Sequence, residues 1–528
     1  MPYADTAATA RRWATERSID LWAIFTDDLI DHLTDELQAS LRVVREDGAR
    51  IAIVGPTTSP IGPLANLADL AVHGPPPPSP YGLFAALEAA DVGDARRLGL
   101  LGTSVAALEA GHRAGAGAIV GLAPADPSVR GPLLAGQPDA IVEPAAFAAL
   151  DAERWARGRA HRQRVLLNPG PVVATDRVHR AIAGPDLCHR EPEYQAIFAA
   201  VRAKLLQVAG VDDDWAVILL AGSGTAAMEA MTGAIVRPGR RLLVCQNGTY
   251  GERLVAIATR LGIEVVPVTT SITTPIDPDT VAAVLDADAG IDAVAIVHHE
   301  TTTGLLNPVG EIARLARARG VLVAIDAISS FGAEELQIHG SGIDVVAGTA
   351  NKCLHGLPGV AFLLLSARAQ ERVMAVPPRS LYFDIPRYLA AQAERSVPFT
   401  PATPAIYALD AALDELLDEG LERRRARYQA RMEYLDRAFA RLGLAPIVAP
   451  EHRSHSVRTL PLPAGVRYAA LHDAVKADGY VIYAGLGPVA QTHFRVCALG
   501  ALEVGALEGF VASLERALAT LQGPETDT

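Results

Sequence analysis

Residues 326–359 read DAISSFGAEELQIHGSGIDVVAGTANKCLHGLPG. Two apolar runs bracket this stretch, VLVAI (321–325) before Asp326 and VVAGTA (345–350) before Asn351 and Lys352. Runs this apolar read as strands buried on both faces, the mark of a sheet covered by helices. A carboxylate at the end of such a strand lies where parallel sheets bind ligands. It can equally cap the helix that follows. A lysine at the end of a buried strand is costly unless it is paired or used. Its stem can carry the amine to the rim. If it stays inside, desolvation lowers its pKa and frees the amine for a Schiff base.

Working outward, WAVILL (215–220), RLLVCQN (241–247), IEVVPVT (263–269), AVAIVHHE (293–300) and VAFLLLS (360–366) supply further apolar runs, separated by helical stretches. The alternation predicts a parallel sheet with helical crossovers. A long helical region follows TPATPAIYAL (400–409), and SVRTLPL (456–462), YVIYAG (480–485) and THFRVCAL (492–499) predict a smaller α+β domain.

Three strand ends in this region carry polar residues suited to a ligand. AGSGTAAMEA (221–230) places Gly224, Thr225 and Ser223 at a helix start. That suits a phosphate, although an ordinary strand-to-helix turn looks the same. CQNGTYGER (245–253) sets Tyr250 beyond a glycine turn, where its ring either packs or lies on a flat ligand. VHHETTTG (297–304) carries adjacent histidines, but neighbouring strand residues face opposite ways, which argues against a shared metal ion. Thr301 reads better as a phosphate donor. A phosphate cradle, an aromatic, a strand-end acid and a Schiff-base lysine together point to pyridoxal 5'-phosphate, whose ring nitrogen is held protonated by an aspartate.

The motifs LLNPGP, CHREPEY, GSGTAAMEA, NGTYGER, VHHETTTGLLN, DAISSFGA, ANKCLHGLPGVAF, PPRSLYFD and FTPATPAIYAL make residues 165–521 resemble the class V aminotransferases of fold type I. They are most similar to the branch acting on 2-aminoethylphosphonate. The resemblance implies a large domain with a parallel or mixed sheet at about 180–420 and a small α+β C-terminal domain at about 445–525. It implies that Lys352 binds the cofactor and shuttles the proton, Asp326 pairs with the pyridine nitrogen and Tyr250 stacks on the ring. Gly224, Thr225 and Thr301 would hold the phosphate, with Asn351 beside it. Thr400 would reach the phosphate in a neighbouring subunit, making a homodimer. Arg495 would grip the substrate's acid group, and Arg190 and Arg253 are candidates for the phosphonate. The implied reaction moves the amino group between 2-aminoethylphosphonate and pyruvate, with phosphonoacetaldehyde and alanine on the other side. Other class V enzymes would use alanine, serine or glyoxylate instead, and a third reading is a non-catalytic scaffold that binds pyridoxal phosphate. The pattern departs at Cys353 and His355.

Residues 1–158 precede this aminotransferase-like region (159–528) and have α/β rhythm of their own: IDLWAIF (19–25), ARIAIVG (49–55), RLGLLG (97–102) and GAIVGL (117–122) read as strands, with HGPPPPSP (73–80) a loop. LWAIFTDDLIDHL, IAIVGPTTS and the run after Pro75 and Pro76 resemble a haloacid-dehalogenase-type Rossmann-like core. Its chemistry is depleted, with Thr26 at the nucleophile position, Asp28 as the second acid, proline for the lysine and Gly102-Thr103-Ser104 for the acidic magnesium ligand. A neutral threonine does not replace an aspartate that binds Mg²⁺ and forms a covalent intermediate. The expected unit is catalytically degenerate.

The chain has 528 residues, which favours more than one domain, and a net charge of −13, which argues against nucleic-acid binding. Its four scattered cysteines argue against a zinc site or disulfide framework and for a reducing cytoplasm. No apolar run approaches a membrane span of about 20 residues, and no metal is expected.

Overall fold

The computed structural model divides into two compact units, residues 1–163 and 164–528. It describes residues 164–502 and 505–522 of the second, and 21–25, 35–46, 50–55, 68–90, 92, 98–114, 116, 118–122, 133 and 140–142 of the first.

The described residues of the first unit include six strands, β1 (Leu21–Phe25), β2 (Arg50–Gly55), β3 (Leu70–His73), β4 (Leu98–Gly102), β5 (Ala118–Leu122) and β6 (Ala140–Val142). They form one sheet in the order β3-β2-β1-β4-β5-β6, every pair parallel. The order reverses between β1 and β4, a topological switch point of the kind where open parallel sheets bind ligands. All of β1 is buried. Its Trp22 lies so close to β4 that a Cβ on Gly99 would stand 2.5 Å from the indole, so glycine is required there. The proline run after β3 leads, through Pro80, into the helix Tyr81–Ala89. The positions compared above with the dehalogenase nucleophile, Thr26 and Asp28, lie outside the described residues.

The second unit is built on a seven-stranded sheet. Its members are β8 (Ala216–Gly222), β9 (Arg241–Gln246), β10 (Glu264–Thr269), β11 (Ile291–Val297), β14 (Leu322–Asp326), β15 (Val345–Thr349) and β16 (Gly359–Leu365). They lie in the order β10-β9-β11-β14-β15-β16-β8, while β12 (His299–Glu300) and β13 (Leu305–Leu306) form a separate antiparallel pair. The sheet is mixed rather than wholly parallel, because β16 runs against both β15 and β8. The chain returns from β15 to β16 through the short lysine loop, which an antiparallel neighbour permits and a parallel one does not. The central strands β11, β14 and β15 are buried along their whole length. Helices Pro192–Ala209, Val309–Ala318 and Thr403–Glu419 cover one face, and helices Gly224–Ile235, Thr249–Arg260 and Ala367–Met374 the other. Six of the seven strands share one direction. The carboxyl ends of β8, β9, β11, β14 and β15 therefore deliver their following loops to one edge.

A C-terminal layer holds the antiparallel sheet β17 (Val457–Pro461), β20 (His493–Cys497) and β19 (Tyr483–Ala484), with helices Tyr468–Ala477 and Ala506–Leu521. YVIYAG is broken at Ile482. Its first half, β18 (Tyr480–Val481), pairs in parallel with β7 (Val165–Leu166), so the start of the second unit is stitched into its last layer. Met432, Leu435 and Phe439 of the long helix Leu421–Arg441 enter the same core.

Candidate active site

Beyond β8, Ser223 stays extended and the helix Gly224–Ile235 begins. A Cβ at Gly224 would meet Ile328 at 2.8 Å, so glycine lets this helix start close on the residue two positions past Asp326. The first turn of any helix carries N–H groups without intrahelical partners. Thr225 Oγ1 accepts a hydrogen bond from Arg253 Nη1 at 3.1 Å.

Beyond β9, Tyr250 lies in the first turn of the helix Thr249–Arg260. Its backbone N–H and that of Gly251 donate to Glu300, at 3.1 and 3.2 Å. Glu300 follows β11 and is fully buried. Its other oxygen accepts from Thr302 N (3.1 Å) and Thr302 Oγ1 (2.6 Å). Burial pushes the Glu300 pKa up, against those hydrogen bonds.

Asp326 ends β14, buried, and accepts from Ile328 N at 2.9 Å. Burial raises its pKa to about 7, helped by the Glu300 carboxyl and opposed by Lys352 and Arg253. Lys352, three residues past β15, donates from Nζ to the Pro169 carbonyl. Burial lowers its pKa, and the Arg495 charge lowers it further against the pull of Asp326. Gly170 faces the lysine so closely that a Cβ there would stand 2.5 Å from Cδ.

Gly224, Thr225, Tyr250, Asp326, Asn351 and Lys352 line one cavity of about 170 Å³. Ser223, Gly170, Arg253 and His299 share it. Thr301 does not line it. This residue is buried, its hydroxyl has no hydrogen-bond partner, and its carbonyl accepts from Arg495 Nη1 at 3.1 Å. Arg495 also donates from Nε to Ala484 O at 2.9 Å. Thr400 lines a different cavity with Tyr382 and Phe399. Arg190 lines a third, near Arg202 and Arg395, and is not brought to Lys352.

His298 and His299 turn to different partners, Ser330 Oγ and the Ser329 carbonyl, each at 2.9 Å. Burial lowers the pKa of both, that of His298 to about 4. His299 Nε2 is buried without a partner. No group of three or more His, Cys, Asp or Glu able to hold a metal occurs among the described residues. No described helix is long and apolar enough to cross a membrane.

The departure at Cys353 and His355 also has a local explanation. His355 takes a left-handed backbone (φ 63°) and pairs through Nε2 with the Tyr428 hydroxyl, while Cys353 Sγ donates to Ser329 O at 3.2 Å. Both side chains are buried and serve to hold the lysine loop.

Gly170 and His299 line the cavity and Glu300 holds the Tyr250 backbone, although the sequence does not single them out as site residues. Gly170 had a usable signal in LLNPGP, where a glycine next to proline marks a turn. Glu300 and His299 had none, since their roles depend on what β9 and β14 bring beside them.

Residues 176–499 match the family model described as Aminotransferase class-V, and the chain belongs to that family. It is an aminotransferase with pyridoxal phosphate as its cofactor. A protein of Burkholderia pseudomallei (strain 1106a) named 2-aminoethylphosphonate–pyruvate transaminase is 37% identical over 364 residues, covering 68% of this chain and 98% of that one. The aspartate aminotransferase of subgroup IV from Thermus thermophilus superposes with a TM-score of 0.62 at 32% identity, over 67% of this chain and 99% of that one. The alanine–glyoxylate aminotransferase of a Nostoc species superposes with a TM-score of 0.65 at 28% identity, over 67% and 95%.

The residues present fit the cofactor. The cavity joins a lysine whose pKa burial lowers, an aspartate whose pKa burial raises and a glycine-opened helix start. His299, which lines the cavity, has a buried Nε2 without a partner.

Proposed function

We propose that this chain transfers the amino group between 2-aminoethylphosphonate and pyruvate, with phosphonoacetaldehyde and alanine on the other side. The observation that carries the reading is the 37% identity to a relative of that name, nearly the whole of which the chain matches. Pyridoxal phosphate, when bound, supplies an electron sink that eases loss of a proton from the amine-bearing carbon. Lys352 is the residue that joins the cofactor and moves that proton, because burial favours its neutral amine. Asp326 answers a protonated ring nitrogen, Tyr250 takes the ring, and Ser223, Gly224 and Thr225 take the phosphate, with Asn351 beside them. Arg495 grips the acid group of either substrate. Two of its nitrogens are committed to carbonyls, which fixes the guanidinium and leaves Nη2 for an anion.

Thr400 stands outside its own chain's cavity, which supports a homodimer in which it serves the neighbouring copy. The parallel order of the first unit is compatible with a dehalogenase-like core, and the absence of any acid in Gly102-Thr103-Ser104 supports a noncatalytic one. There Ser104 Oγ accepts from Ala107 N at 3.2 Å and opens a helix.

The test is the absorbance of the cofactor-loaded protein as 2-aminoethylphosphonate and then pyruvate are added. Loss of the band with the first and its return with the second is the expected result. A band that ignores the phosphonate but answers alanine or serine would favour the second reading, a class V enzyme without a phosphonate substrate, which the likeness to the Nostoc structure keeps open.

A further inference from the structure

Arg253 stands one turn beyond Tyr250 on the helix Thr249–Arg260 and folds back over that ring, Cζ lying 4.6 Å from its centroid. Its Nη1 reaches across to Thr225, in the first turn of another helix. It lines the same cavity as Lys352 and Asp326. Other arginines of this unit rest on acids: Arg237 on Asp292, Arg319 on Asp286, Arg458 on Asp436. Among the described residues, no carboxylate lies within ion-pair distance of Arg253. A guanidinium has five N–H donors, and the Thr225 bond uses one of them. A half-buried cation held at a helix start without a counter-charge is a site prepared for an anion.

We propose that Arg253 is a phosphate-binding residue for the cofactor, acting with Ser223, Gly224 and Thr225, while its planar head braces Tyr250. The inference rests on the pyridoxal phosphate site described above. It departs from reading Arg253 as a holder of the substrate phosphonate. The favoured role follows from the bond to Thr225, which ties the guanidinium to the helix start. Arg495, bonded to the Thr301 carbonyl, is left to the substrate.

The experiment titrates the cofactor-free protein with pyridoxal phosphate and, separately, with pyridoxal, which has the same ring and aldehyde but no phosphate. Arg253→Gln should weaken pyridoxal phosphate by roughly ten- to a hundredfold, the range for losing a charge-assisted hydrogen bond, and leave pyridoxal within about twofold. Arg253→Lys, which keeps the charge and loses the fork, should fall between. Inorganic phosphate should compete with pyridoxal phosphate in the unsubstituted protein and compete less in Arg253→Lys, a comparison that stands even if the glutamine variant folds poorly. Equal loss for both ligands would reduce Arg253 to a support for Tyr250 and overturn the proposal. So would unchanged cofactor affinity with a raised KM for the phosphonate substrate. An unsubstituted protein that binds neither ligand would overturn the cofactor site itself and this inference with it.

Discussion

The Glu300 carboxylate accepts the backbone N–H of Tyr250 at 3.1 Å, so a buried acid on one strand end fixes where the aromatic ring of another begins. The same carboxylate takes Gly251 and Thr302 as well. Glu300→Gln would turn an amide N–H₂ toward donors that need an acceptor. Stability should fall by about 1–3 kcal/mol, the cost of leaving buried donors unsatisfied. The urea midpoint measures it, and an unchanged midpoint would show that Glu300 does not hold the helix start.

Lys352 is the residue whose loss should separate cofactor binding from cofactor attachment. Borohydride reduction of the loaded protein should fix the cofactor to Lys352 and fix none to Lys352→Ala, as read by peptide mass spectrometry. Transamination by the variant should drop by at least about a hundredfold, the lower range for removing a general acid–base group. Asp326→Asn should lose activity while keeping Lys352 reactive toward borohydride. Full activity in that variant would contradict the role given to the acid.

Gly170 faces Lys352 with φ +122° and no room for a side chain. Gly170→Ala should therefore displace the lysine and strain the backbone together. The expected outcome is slower attachment of the cofactor at an unchanged urea m value, followed by absorbance. Wild-type attachment kinetics would mean that the loop shifts freely away from the lysine.

Glu334 of the sheet domain and His455 of the segment before β17 are joined twice, from His455 N to Oε1 at 2.8 Å and from Nδ1 to Oε2 at 2.7 Å. Hydrogen bonding to Glu334 raises the His455 pKa above its usual 6.5, helped by Glu433 and opposed by burial and Arg458. Glu334 lies below its usual 4.5, because its bonds to His455 and the charges of His299 and His455 outweigh burial. A raised histidine gives its full stability below 6.5 and loses it as pH climbs through the folded value. A depressed glutamate gives its full stability above 4.5 and loses it as pH falls through the folded value. The pair should contribute most between about pH 4.5 and 6.5. The Tm difference between the parent protein and His455→Gln should peak there and shrink on the alkaline side. A difference flat from pH 5 to 9 would show that the pair is not ionised.

The sequence by itself determined the apolar strand runs and singled out eight residues that line the cavity, Ser223, Gly224, Thr225, Tyr250, Arg253, Asp326, Asn351 and Lys352, because each of these signals is a local property. Apolar runs with one charged end are visible in VLVAID and VVAGTANK, and glycine at a helix start is visible in GSGT. Tertiary structure alone decided what lay beside them. The direction of β16 came from pairing with β8, more than 130 positions earlier in the chain. Glu300, His299 and Gly170 entered the site through strands and loops that meet only when the sheet is formed. Arg190 and Arg495 look alike as isolated arginines in sequence. Only folding sets one in a separate cavity and the other against Thr301, because distance along the chain carries no record of which side of the sheet edge a loop returns to.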